Sequence, residues 1–234
     1  MEANQYALVH GARRTRLALD RWRSEPGPVL SAWFTASVLI GLFLLASVLA
    51  IASWFPPDLG IDYVPSTPSG IEADEVAALI GRNSLVLALH AFACIAGFIA
   101  GSAIPLSNER RRGISRWVHE RARPVALGWV VFVTGFSLMT QAVTLGVIAS
   151  TVASATGISP PLLLLTVLPH ALLELTAVFL PLAAWTIAAR RDEWDQLLAA
   201  TVVTVTLAIP MLILSAAWEV HVWPELLRAA SPVL

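Results

Sequence analysis

The chain has 234 residues, 57% of them hydrophobic and 13% charged, with a net charge of −1 and a mean hydropathy of +0.73. A soluble domain carries about 25% charged residues. There is too little polar surface here to cover a water-soluble fold, and bulk charge points to no nucleic-acid partner. All fifteen positive charges are arginines, and the one cysteine, Cys94, lies in an apolar run, which excludes an internal disulfide and a cysteine-based metal site.

Residues 1–28 form a basic segment that holds Arg13, Arg14, Arg16, Arg21 and Arg23. Its Leu8, Leu17, Leu19 and Trp22 suit a helix lying in the membrane interface, arginines toward anionic headgroups. A transmembrane helix needs ~20 apolar residues, and five stretches qualify. The first spans 29–54 and stops at Pro56-Pro57; it is too long for a signal-peptide core and reads as a retained helix. An acidic loop, 55–82, follows, with Asp58, Asp62, Glu72, Asp74 and Glu75; from Ile71 its pattern turns helical. The second span covers 84–106. The loop 107–124 carries Arg110, Arg111, Arg112, Arg116, Arg121 and Arg123 and is expected to be helical, either docking a partner or resting on phospholipid. Spans at 125–153, 161–189 and 197–218 complete a transmembrane domain of 29–218, and 219–234 is left as a C-terminal tail. The fold class is an all-α membrane protein, a bundle of about five transmembrane helices.

Arginine sets the orientation. Five spans put the N-terminal segment, the 107–124 loop and the Arg190-Arg191 turn on one side, leaving only Arg82 and Arg228 on the other. Positive charge stays inside. The N-terminus is therefore expected in the cytoplasm and the C-terminus outside, in a bacterial-type inner (plasma) membrane. Trp218, His221 and Trp223 then fall at the outer interface, as an aromatic belt does.

An ionisable residue inside a span is costly and by default functional. The fourth span carries His170 and Glu174, four apart on one helical face. Pro169 and Pro181 lie in the same span, each able to kink it. His90 in the second span has Asn83 seven residues earlier on the same face, and the third span carries Gln141. At ~1.5 Å per residue, His90, Gln141 and His170 sit roughly 13–16 Å from the outer ends of their spans and Glu174 ~20 Å. Similar depth predicts a single buried polar cluster on three helices. Such a cluster could respond to protons or touch a substrate, or it could join helices by hydrogen bonds. Gly97 and Gly101 make a GxxxG that lets another helix approach, from within the bundle or from a second copy of the chain.

No Ser/His/Asp elbow, phosphate-binding glycine loop or dinucleotide fingerprint is present. His-x-x-x-Glu is not the His-Glu-x-x-His of zinc hydrolases, although a site of His90, His170 and Glu174 is conceivable. No catalytic residue and no cofactor are expected.

The run Leu168-Pro169-His170-Ala171-Leu172-Leu173-Glu174-Leu175-Thr176-Ala177 resembles the Pro-His-Gly-x-x-Glu-x-x-Ala signature of the stage II sporulation protein M family of integral membrane proteins. Arg82-Asn83-Ser84, then Gly97 and Gly101, resemble that family's Asn-rich entry and glycine-bearing helix, and the resemblance spans roughly 75–190. Ala171 stands where the family has Gly, and Gln141 with Gly146 is a degenerate form of its Asn-Gly, so the chain looks like a divergent member. The resemblance implies a helical membrane architecture; the family's named member anchors a cell-wall hydrolase complex in the membrane. The reading is a non-enzymatic, permease-like or scaffold subunit of a membrane complex, partnered by a cytoplasmic ATPase or other subunits. Its alternatives are an intramembrane metal-dependent hydrolase and a proton- or ion-coupled transporter.

Overall fold

The computed structural model describes residues 2–57, 73–103 and 114–233, and every regular element among them is helical. The helices are α1 (Glu2–Ser24), α2 (Pro26–Trp54), α3 (Ala73–Phe98), α4 (Ile114–Ala155), α5 (Pro160–Arg191), α6 (Leu197–His221) and α7 (Trp223–Ala230). A π-helical stretch, Ile99–Ala103, continues α3, and a 3-10 turn, Trp194–Gln196, leads into α6. Five of the helical segments are long and apolar enough to cross a bilayer. The chain is a multi-pass helical membrane protein.

Local chemistry explains where the helices end. Proline stands in the first turns of α2 and α5, where the missing N–H would have had no partner. The Phe55 N–H closes α2 onto the Ile51 carbonyl before Pro56-Pro57. Asp192 ends α5 in a left-handed conformation at φ 56, its N–H on the Ala188 carbonyl. The third span, expected at 125–153, lies within a longer helix. Helix α4 begins at Ile114 and runs through Pro124, because one proline removes one ladder bond without stopping a helix that is held elsewhere. Arg110, Arg111 and Arg112 lie outside the described residues, as do positions 58–72 of the acidic loop.

Helix α5 is the mast of the bundle. In its most apolar stretch 44% of the residues are buried, against 11% in α4, and α2, α3 and α6 all pack on it. Phe179, Leu180 and Ala183 on α5 are fully enclosed. Each neighbour also sends a side chain to an α5 carbonyl. Ser37 Oγ donates to Thr176 O at 2.6 Å, Cys94 Sγ to Pro181 O at 3.0 Å, and Ser215 Oγ to His170 O at 3.0 Å. Helices α3 and α5 run side by side in one direction, so Asn83, His90, Cys94 and Gly97 meet α5 in order toward Trp185.

The GxxxG face is filled from inside the chain. A Cβ on Gly97 would stand 2.7 Å from Trp185 Nε1 and 2.8 Å from Leu197, and one on Gly101 would enter the Trp194 ring. The two indoles themselves stack edge to face. Close approach here admits aromatic rings rather than a second backbone.

Both termini dock on the bundle. The amphipathic N-terminal segment is a helix, but it packs on protein. Ala18 and Trp22 of α1 are buried against Leu180, Ala184, Ala199 and Ala200, with Trp22 edge-on to Trp33 at 5.1 Å. Arg14 pairs with Asp195 at 2.9 Å. At the other end, 219–234 is not a loose tail. Helix α7 buries Leu227 against Val152, Ala153 and Leu163, and Ser231 Oγ donates to the Thr156 carbonyl at 2.6 Å.

Candidate functional site

At the end of the bundle where α2, α4 and α6 finish and α5 begins, the helices part around a cavity of about 250 Å³. Its walls are apolar, made by Leu45 and Val48 of α2, Leu145 and Ile148 of α4, and Leu163 and Val167 of α5. Its polar end combines four helices: Arg82 from α3, His170 and Glu174 from α5, Glu219 from α6 and Trp223 from α7. Half-open apolar clefts with a few convergent polar groups are the usual form of small-molecule sites.

Glu174 is the hub. Asn83 and Ser215 hydrogen-bond to its carboxylate, and Arg82 and Glu219 lie within electrostatic reach. All three charged groups line the same end of the cavity. His170, one turn earlier, is 5% exposed and lies 6.0 Å from the Trp223 ring, while its Nδ1 has no hydrogen-bond partner. The Trp223 indole is held by Thr166 Oγ1 at 3.2 Å, which fixes that wall of the cavity. Pro169 and Pro181 bracket the segment that carries these groups.

The expected single cluster divides. Asn83, His170 and Glu174 do come together. His90 does not join them. Its Nδ1 is 3.0 Å from Val178 O, one turn beyond Glu174, and its ring lies against Phe179. Its Nε2 is buried without a partner. The reason is register: seven residues separate Asn83 from His90, and ~10 Å of helix carries His90 past the polar end. Gln141 is apart as well, its Nε2 donating to Ser137 Oγ on its own helix at 3.1 Å. Counting residues from the span ends put these groups at one level, whereas the packing of α3 on α5 sets His90 deeper and Gln141 bonds within α4. Among the described residues no three His, Cys, Asp or Glu side chains converge as metal ligands would, so the trio His90, His170 and Glu174 is not assembled.

Sequence reasoning missed Arg82, Ser215, Glu219 and Trp223 as members of the site. Arg82 read as a stray charge and Trp223 as part of an aromatic belt. Glu219, two residues from the end of α6, was an available signal: a carboxylate in an apolar span asks for a partner. Of the basic loop, Arg116, Arg121 and Arg123 fall within α4 and the rest outside the described residues.

The sequence model of the family described as Stage II sporulation protein M matches residues 122–224. The chain is similar to that family over this region, which holds α5, α6, His170, Glu174 and Glu219. The matched region starts later and ends later than the resemblance at 75–190, leaving Asn83, Gly97 and Gly101 outside it. No curated protein and no solved structure matches the chain.

Proposed function

We propose that this chain belongs to the stage II sporulation protein M family and is a non-enzymatic, permease-like subunit of a bacterial plasma-membrane complex, and that the cavity around Glu174 is its ligand site. The observation that carries the reading is the meeting of Arg82, Glu174 and Glu219 at the end of an apolar cavity. Charges in a membrane domain are expensive and persist where they face a pathway or a bound molecule. The arginine distribution supports a cytoplasmic α1 and a cavity toward the external end of the bundle. On that orientation the arginine-rich start of α4 and the turn at Arg190-Arg191 are the surfaces a cytoplasmic ATPase would use.

The test is co-purification of the tagged chain from its own host in mild detergent, read by mass spectrometry. Stoichiometric recovery of an ATPase is the expected result. Recovery of extracytoplasmic enzymes alone would make the protein a scaffold, and the permease reading would fall. A second reading, proton- or ion-coupled transport, draws on the two carboxylates at one end of the cavity. Flux in proteoliposomes that is indifferent to Glu174→Gln would remove it.

A further inference from the structure

The cavity takes its access from the side. Leu145 and Ile148, which line it, are 39% and 42% exposed on α4, the span least covered by the rest of the bundle. Its apolar wall is therefore continuous with the lipid-facing surface of α4. A molecule that enters this way has a hydrocarbon chain. The other end of the cavity decides its head. Arg82, Glu174 and Glu219 sum to a formal charge of −1 when all are ionised, so an anionic head is opposed and a cationic one is complementary.

The donor count narrows the head further. A primary ammonium has three N–H donors and no acceptor. The polar end offers acceptors, the Glu174 and Glu219 carboxylates. A quaternary ammonium has no donor and is held by a cage of aromatic rings, whereas among the described residues Trp223 is the one indole or phenyl side chain that lines this cavity. In an aminophospholipid, the phosphate beside the ammonium would face Arg82.

We infer that the cavity binds a lipid with a primary-amine head, chain against α2 and α4, ammonium at Glu174 and Glu219. The inference rests on the cavity being the ligand site and names its ligand class.

The experiment is native mass spectrometry of the delipidated full chain, titrated with an equimolar mixture of phosphatidylethanolamine, phosphatidylcholine and phosphatidylglycerol of identical chains. Ala149→Trp, which fills the apolar wall, corrects for lipid bound elsewhere, and its melting temperature checks that it folds. The expected result is phosphatidylethanolamine retained about fivefold over the other two. The double variant Glu174→Gln/Glu219→Gln should lose that preference while still binding lipid. Equal retention of the three heads, or a preference unchanged in the double variant, overturns the amine assignment and leaves the cavity as a ligand site. Retention that Ala149→Trp does not reduce overturns both.

Discussion

At the scale of single residues, the tightest constraint is a glycine. Gly101 lies under the Trp194 ring, so any side chain must push the indole off Trp185. Gly101→Val should cost about 1–3 kcal/mol, the usual penalty of overpacking, and lower the melting temperature in detergent. Gly128 is the control, because a Cβ there would meet nothing within 4 Å. Gly128→Ala should hold or raise stability, by up to about 1 kcal/mol, because it removes only backbone freedom. Ser37 is the residue-scale case for polar contacts. It is fully enclosed and donates to the Thr176 carbonyl, and Ser37→Ala should cost about 0.6–1.7 kcal/mol in the same assay.

At the scale of elements, α1 separates two kinds of contact. The Arg14–Asp195 pair has 51% and 34% of its side-chain surface exposed, so Arg14→Ala should cost a few tenths of a kcal/mol and no more than ~1. Trp22 packs on Trp33 and the α5–α6 surface, and Trp22→Ala should cost about 3–5 kcal/mol. Limited proteolysis reads both, since an undocked α1 becomes cleavable near Arg21 and Arg23. The spans themselves were legible in the sequence, because twenty apolar residues in a row have one reading in a bilayer. The docking of α1 and α7 was not. Ala18 and Trp22 on α1, and Leu227 on α7, lie on apolar faces that fit a lipid interface as well as a protein surface, and only the partner helices distinguish the two. The same limit applied to the site. Asn83, His170 and Glu174 could be named from their cost in lipid, whereas the displacement of His90 by one turn depends on the register between α3 and α5, which depth alone does not supply.

At the scale of the whole molecule, orientation can be tested directly, because the one native cysteine is buried and its thiol is engaged with Pro181 O. Arg14→Cys and Glu225→Cys, made singly, should be labelled by a membrane-impermeant maleimide from opposite sides, Glu225→Cys in intact cells and Arg14→Cys only after lysis. The reverse pattern would place the cavity toward the cytoplasmic end of the bundle. The bonding of α5 also has a consequence for how the chain is made. Spans leave the ribosome in order, so α2 and α3 stand in the bilayer before α5 has been synthesised. During that interval Ser37, His90 and Cys94 have none of the carbonyls they meet in the finished protein. A nascent chain halted at Ala155 should therefore be held by the insertion machinery or degraded as an orphan, while one extended past Arg191 should be released. The fourth span is the point at which biogenesis commits.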